Sequence, residues 1–273
     1  MQSIRGQITL LGGGNMGKAL AKGVLAGGLI EEQQLAVADP SPSIRKWWQE
    51  NHPCACVAAT AENLIPQAEV VIVAVKPAHV QVLATQYADF WAKRLIISVA
   101  AGVTLCELQA AFKSGSVVRV MPNTPALVAA GAAAFCCGPD VNHDQVALVH
   151  QIFAAVGTVD RVDETLMDAV TGLSGSGPAY MFLILEALAD GGVAAGLSRE
   201  LAQRLASQTM LGAAKLVLDS QHHPAILKDA VASPGGTTIT GLAMLERKGL
   251  RSALIQAVQA AAQRSRELGM AAD

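Results

Sequence analysis

The sequence predicts an α/β protein, in which an open and mostly parallel sheet is followed by a segment built of helices alone. Short apolar runs alternate with helical patterns over residues 1–160, and helical patterns alone fill residues 161–273. Hydrophobic residues make up 52% of the 273 residues and charged residues only 15%. A chain of this composition can bury a large core, and its length fits two modest domains with a boundary near residue 160.

Charge and cysteine content narrow the class of protein. A net charge of −2 and an aromatic content of 4% indicate neither the excess of basic residues nor the aromatic residues that would favour binding to nucleic acid or an anionic membrane. The five cysteines are odd in number and contain no C-x-x-C pair, which argues against a disulfide framework or a metal site. No apolar run reaches the roughly 20 residues that a membrane span needs. We therefore expect a cytoplasmic protein that binds neither metal nor nucleic acid nor membrane.

A glycine-rich turn joins the first strand to the first helix. The apolar run at residues 8–11 leads into a G-x-G-x-x-G motif, made of Gly12, Gly14 and Gly17. The next strand, residues 35–38, ends at Asp39, about 20 positions after the last glycine. This strand–turn–helix–strand unit predicts a Rossmann dinucleotide site, although a purely structural glycine turn is the alternative. A nucleoside-triphosphate loop is excluded because Ala19 follows Lys18 where that motif needs a hydroxyl to hold Mg²⁺.

Three further apolar runs predict buried parallel strands, at residues 70–75, 95–99 and 117–120. Ligands of such sheets bind beyond the carboxyl ends of the strands. We therefore expect Lys76, Ala101 and Asn123, which follow these runs, to border one crevice. An exposed charge at the end of a strand is the alternative for Lys76.

The second half of the chain predicts several helices and two glycine-rich loops. Residues 172–178 and 233–238 each precede a helix, so their backbone N–H groups could bind an anion, or each loop could be only a tight connection. The second loop also carries the hydroxyls of Thr237 and Thr238, which suit a small polar substrate. Some helices, above all within residues 178–218, are apolar nearly all round, which predicts burial against a second subunit.

These motifs together resemble pyrroline-5-carboxylate reductases over nearly the whole chain. The matching segments are residues 12–17, 74–77, 100–104, 121–125, 173–180, 223–229 and 233–239. The resemblance implies a Rossmann domain followed by an all-helical dimerisation domain, in a homodimer or a ring of dimers. It also implies reduction of 1-pyrroline-5-carboxylate to L-proline by NADPH or NADH, the last step of proline biosynthesis.

The resemblance also implies residue roles. The backbone of Gly235, Gly236, Thr237 and Thr238 holds the substrate carboxylate, Thr238 bonds the ring nitrogen as the catalytic residue, and Glu164 lies near the substrate. For the cofactor we expect Gly12, Gly13, Gly14, Asn15, Met16, Gly17, Asp39, Ser41, Ala74, Val75, Lys76, Pro77, Val99, Ala100 and Ala101. The carboxylate of Asp39 favours the ribose hydroxyls of NADH, whereas Ser41, Arg45 and Lys46 could offset that preference, so we expect both cofactors to work.

Three other functions remain as alternatives. One is a different NAD(P)H-dependent imine reductase. A β-hydroxyacid dehydrogenase shares the layout but needs a catalytic lysine, and this chain has Met181 at that position and Leu185 where the asparagine belongs. The third is a non-catalytic regulator that binds NAD(P), but such a function does not account for the loop that carries Thr237 and Thr238.

Overall fold

The computed structural model describes Ile4, residues 6–114 and residues 116–270. The chain divides into two compact units. The first unit consists of the residues up to Ser176 together with those from Ala260 onward, and the second unit is Gly177–Gln259. The domain boundary expected near residue 160 stays a prediction.

The first unit is built on one sheet, to which the described residues contribute eight strands in the order β3-β2-β1-β4-β5-β6-β7-β8. The strands are β1 (Gln7–Leu11), β2 (Leu35–Ala38), β3 (Cys56–Ala58), β4 (Ala68–Val73), β5 (Leu95–Ser98), β6 (Val117–Met121), β7 (Gly131–Cys137) and β8 (Gly157–Arg161). Neighbouring strands run parallel except for β6 and β7. In register, Leu11 of β1 lies beside both Ala38 and Val73, so the segments after β1, β2 and β4 meet at one edge.

Helices cover the sheet and complete its two cores. Those of the first unit are α1 (Asn15–Ala26), α2 (Pro42–Asn51), α3 (Val80–Gln86), α4 (Leu105–Phe112), α5 (His143–Ala154) and α6 (Met167–Val170). Val70 and Ile72 belong to one core, and Val71 and Val73 belong to the other. Successive side chains of a strand point to opposite faces, so β4 is buried on both, as its continuous apolar run predicted.

Three features of the first unit differ from the sequence prediction. The expected strand at residues 70–75 ends at Val73, which leaves Ala74 and Val75 in the following loop. Strands β3, β7 and β8 were not predicted, and β7 breaks the parallel pattern. The glycine-rich loop at residues 172–178 is not a loop, because Thr171–Gly175 forms a π-helical turn in which the Ser176 N–H donates to the Thr171 carbonyl (2.9 Å).

Beyond Ser176 the described residues form five helices: α7 (Gly177–Ala194), α8 (Arg199–Ser220), α9 (Pro224–Val231), α10 (Thr237–Arg247) and α11 (Leu250–Met270). The sequence predicted each of them, together with the cap that Ser198 gives α8 and the place of Pro224 in the first turn of α9. Among the described residues, none of the helices combines the length and the hydropathy that a membrane span requires.

Candidate functional site

A cleft of ≈ 590 Å³ opens at the carboxyl ends of β1, β2 and β4. Six of the expected cofactor residues line it: Gly12, Gly14, Asp39, Ala74, Val75 and Lys76. Sequence reasoning missed other lining residues, among them Ile44, Thr60, His79 and Tyr87. Thr60 follows the short strand β3, so recognising that strand would have placed it at this edge. The parallel topology thus brings these six residues together at the edge where dinucleotide-binding sheets hold their ligands.

Close backbone contacts require two glycines of the turn, Gly12 and Gly17. Gly12 has a φ of +101°, and a Cβ on it would lie 2.6 Å from the Ala74 carbonyl oxygen. A Cβ on Gly17 would lie 2.5 Å from the Gly12 carbonyl oxygen, so this glycine lets α1 start directly against the turn. Gly14 has open space around its Cβ position and lines the cleft.

The first turn of α1 offers backbone donors beside the cleft. The first hydrogen bond within this turn runs from the Lys18 N–H to the Gly14 carbonyl (2.9 Å), so the N–H groups of Asn15, Met16 and Gly17 precede it. Such a helix start fits the pyrophosphate of a dinucleotide. The Lys18 ammonium lies 3.7 Å from the centre of the Trp47 ring, which agrees with the exclusion of a nucleoside-triphosphate loop.

Asp39 is buried, and each of its carboxylate oxygens accepts a backbone N–H. Oδ2 accepts from Gly13 (2.8 Å) and Oδ1 accepts from Ser41 (2.9 Å), which is the N-cap residue of α2. The Arg45 guanidinium donates to the carbonyls of Asp39 and Pro40, and Lys46 forms an exposed ion pair with Glu50. The acidic residue therefore ties the glycine turn to the end of β2.

The other expected cofactor residues occupy the loops around this edge. Pro77 starts the 3₁₀ turn Pro77–His79 directly after Lys76, and Val99, Ala100 and Ala101 follow β5. Lys76, Ala101 and Asn123 were expected to border one crevice, but of the three Lys76 alone is among the residues that line the cleft. The Asn123 side chain donates to the Ser174 carbonyl (3.0 Å) and accepts from the Ala132 N–H (2.9 Å). The amide of Asn123 thus joins β7 to the π-helical turn.

Glu164 connects two elements of the first unit. Its Oε1 accepts from the backbone N–H of Leu105, at the start of α4, and from Nη1 of Arg119 on β6 (3.2 Å). The Arg119 side chain is only 6% exposed, whereas that of Glu164 is 35% exposed. Burial raises the pKa of the nearby Cys136 thiol to about 12; the Glu164 carboxylate adds to this shift and Arg119 opposes it.

The second expected site, at the start of α10, forms a donor-rich helix terminus. Gly235 has a φ of +67°, and Gly236 is the N-cap residue without a side-chain cap hydrogen bond. The first bond within α10 runs from the Thr240 N–H to the Gly236 carbonyl (3.3 Å), so the N–H groups of Thr237 and Thr238 precede it. Thr238 itself is half-buried. This arrangement suits a carboxylate accompanied by one further polar atom.

Family models match both parts of the chain. Residues 164–268 match the model described as pyrroline-5-carboxylate reductase dimerisation, and residues 7–102 match the model described as NADP oxidoreductase, coenzyme F420-dependent. The second match covers the strands and the glycine turn that border the cleft.

Curated proteins and solved structures agree with these matches. A pyrroline-5-carboxylate reductase from Synechocystis sp. is 45% identical over 96% of this chain and 98% of its own length, and one from Arabidopsis thaliana is 46% identical over 96% and 95%. The structure of a pyrroline-5-carboxylate reductase from Coxiella burnetii has a TM-score of 0.91 at 36% identity, covering 97% of this chain and 99% of that one. The Plasmodium falciparum pyrroline carboxylate reductase with NADP bound has a TM-score of 0.88 at 32% identity, covering 98% and 100%. The chain therefore belongs to the pyrroline-5-carboxylate reductase family.

Proposed function

We propose that this chain reduces 1-pyrroline-5-carboxylate to L-proline with NADPH or NADH, as the last step of proline biosynthesis. The observation that carries the proposal is the start of α10, which is rich in hydrogen-bond donors. The same chain has a glycine turn of the kind that binds dinucleotides. A cyclic imine with one carboxylate matches a site with two glycines, adjacent helix-start N–H groups and a threonine hydroxyl.

The residues around the cleft fit a dinucleotide cofactor. Gly12 and Gly17 permit the close backbone contacts of the turn, and the N–H groups of Asn15 and Met16, which precede the first hydrogen bond of α1, can bind a pyrophosphate. Ala74, Val75, Lys76, Pro77, Val99, Ala100 and Ala101 complete the proposed set along the edge of the sheet. When bound, the reduced cofactor supplies the hydride.

The threonine loop holds and orients the substrate. The backbone of Gly235, Gly236, Thr237 and Thr238 binds the carboxylate, and the Thr238 hydroxyl shares a hydrogen bond with the ring nitrogen. An imine is basic enough to arrive protonated, so no dedicated general acid is required. Hydride adds to the ring carbon, the C=N π electrons move to nitrogen, and the proton already on nitrogen stays in the product amine. Alignment of the imine carbon supplies most of the rate.

Further statements on domains, assembly, location and partners belong to the same proposal. We propose a dinucleotide domain over residues 1–160 and a substrate-binding and dimerisation domain over residues 161–273, with Glu164 near the substrate. We propose a homo-oligomer, which is either a dimer or a ring of dimers. The cytoplasmic location rests on the cysteine pattern of the sequence, and the absence of nucleic-acid partners rests on its charge.

Steady-state oxidation of NADH and NADPH by the purified full chain tests the function. We expect turnover with 1-pyrroline-5-carboxylate and far weaker turnover with 1-pyrroline, which lacks the carboxylate that α10 binds. Cofactor binding without oxidation would support a regulator. Activity on a β-hydroxy acid would support the dehydrogenase alternative, which the Met181 and Leu185 side chains of α7 oppose. Equal activity on both imines would point to another imine reductase.

A further inference from the structure

The peptide groups on both sides of Gly13 are held by buried side chains. The Gly13 N–H donates to Oδ2 of Asp39 (2.8 Å), and the Gly13 carbonyl accepts from Nε1 of Trp48 (2.9 Å). These partners come from the end of β2 and from α2, so the glycine turn is fixed by residues 26 and 35 positions away along the chain.

The packing around Trp48 leaves its indole ring little freedom. Trp48 is fully buried, its ring lies edge-on to Trp47 with centroids 5.3 Å apart, and its ring centroid is 5.2 Å from that of His52. A Cβ on Gly13 would lie 2.4 Å from Nε1 of Trp48, so the ring packs directly against the glycine backbone. Position 13 therefore accepts glycine alone while Trp48 keeps this place.

Asp39 is held equally firmly. Its second carboxylate oxygen accepts the Ser41 N–H, and its backbone carbonyl accepts from Arg45 (2.9 Å). Because the Gly13 N–H is already bonded to Asp39, a bound phosphate must use the N–H groups that follow, on Gly14, Asn15 and Met16. The orientation of those groups depends on the peptide that Asp39 and Trp48 hold.

We propose that Asp39 and Trp48 are positioning residues, which fix the glycine turn in its cofactor-binding geometry before the cofactor arrives. The inference rests on the proposed cofactor site. It assigns Asp39 a role through the turn rather than through the ribose, so losing its carboxylate weakens NADH and NADPH binding alike. A carboxylate that selected NADH by contacting the ribose hydroxyls would, when neutralised, weaken NADH and strengthen NADPH.

The first test replaces Trp48 by phenylalanine, which keeps an aromatic ring but removes the indole donor. Losing this bond is expected to raise the dissociation constants of both cofactors about tenfold. The KM for the imine and kcat at saturating cofactor stay within about twofold, because sites without shared partners act independently. Trp47→Phe is the matched control, because phenylalanine keeps an aromatic ring for the contacts that Trp47 makes with the Lys18 ammonium and the Trp48 ring, and the hydrogen bonds of the described glycine turn do not include the Trp47 indole. Calorimetric titration of the full chain measures binding without turnover.

The second test is Asp39→Asn, which is nearly isosteric but places an NH₂ group against one of the two backbone N–H donors. We expect both cofactor dissociation constants to rise by a similar factor, with their ratio changed less than about threefold. The double variant should lose less affinity than the product of the single effects, because both side chains act on one peptide. A shift of preference towards NADPH would overturn the proposal for Asp39.

The outcomes separate this inference from the proposed function. If the wild type binds cofactor but does not reduce the imine, the function fails and the binding tests still decide the inference. If Trp48→Phe lowers the melting temperature but binds both cofactors like Trp47→Phe, Trp48 is structural and the proposal is overturned for it. If Trp48→Phe does not fold, Asp39→Asn decides, and unchanged cofactor affinity in that variant overturns the proposal.

Discussion

Thr238 occupies the second position of α10, where a threonine could serve the helix or the substrate. Thr238 is not the cap residue of this helix, because the N-cap position belongs to Gly236. Thr238→Ala is therefore expected to lower kcat/KM for the imine about tenfold to a hundredfold, as for the loss of one hydrogen bond to the reacting system. Steady-state kinetics with each substrate varied in turn measures this, and the KM of the cofactor should not change.

The neighbouring Thr240 provides the control for that variant. Its hydroxyl donates to the Gly236 carbonyl (3.0 Å), so it bonds within the helix. Thr240→Ala should leave imine kinetics unchanged. A lowered melting temperature with normal kinetics in Thr238→Ala would assign Thr238 to the fold and remove it from the site.

The cysteines are expected to differ sharply in reactivity. Cys54, Cys56 and Cys106 are exposed, whereas burial raises the pKa of Cys136 to about 12 and also raises that of Cys137. At pH 8 a thiol of pKa about 12 is thiolate in roughly one molecule in ten thousand, and the thiolate is the reactive form. Maleimide labelling of the folded chain followed by mass spectrometry should modify the three exposed thiols first. Rapid labelling of Cys136 would contradict its buried placement.

At the level of elements, the buried parallel strands were predictable and the exceptions have physical reasons. Residues 70–73 of strand β4 are a continuous Val/Ile run because helices cover both faces of the sheet. Strand β7 begins Gly-Ala-Ala-Ala, a stretch of low strand propensity, so pairing with β6 rather than local preference makes it a strand. Strand β3 has only three residues and lies at the edge of the sheet, which gives periodicity too little length to detect.

The π-helical turn was predicted as a loop because its sequence is rich in glycine and serine, and that prediction was wrong. Residues 171–175 have the composition of a loop, yet Thr171 and Ser174 donate side-chain hydrogen bonds to carbonyls one helical turn earlier. A Cβ on Gly175 would lie 2.4 Å from Cε of Met121, so the glycine permits close packing on β6 rather than a turn. The contact between Gly175 and Met121 is tertiary, and the sequence around the turn does not reveal it.

The link that Glu164 makes between β6 and α4 yields a prediction for stability. Glu164→Gln leaves the buried Arg119 without its carboxylate and should lower the free energy of unfolding by about 1–3 kcal/mol. Urea denaturation measures this, with Glu62→Gln at an exposed position as the control. No loss of stability would contradict the link. A raised KM for the imine in the same variant would support the proposed place of Glu164 near the substrate.

On the scale of the whole molecule, the sequence predicted several residues that line the cleft but not the contacts that hold the glycine turn in place. The glycines, Asp39 and Lys76 were found because strand ends meet at one edge of a parallel sheet. Trp48 was not found, because its bond to Gly13 joins residues 35 positions apart and a buried tryptophan usually serves the core. What a side chain bonds to, rather than where it lies, is the information that sequence patterns lack.

The apolar surface of the second unit leads to the last prediction, on assembly. Its helices leave large side chains in contact with solvent, including Phe182 (63% exposed), Leu183 (67%), Leu211 (61%) and Leu218 (71%). Apolar surface on this scale marks an interface, and residues 164–268 match a dimerisation family. We therefore expect a dimer at least, with a melting temperature that rises with protein concentration.

A charge placed on that surface should disrupt the assembly. Leu183→Glu introduces a carboxylate whose burial without a partner is costly, so sedimentation at micromolar concentration should show monomer where the wild type shows dimer or larger species. Val82→Glu is the matched control, because Val82 is similarly exposed (62%) but lies on α3 of the first unit. If Leu183→Glu keeps the wild-type mass, this face is not the interface. A wild-type chain that is monomeric, folded and active would remove the assembly prediction entirely, since the α7 and α8 side chains would then be stable in water without a covering subunit.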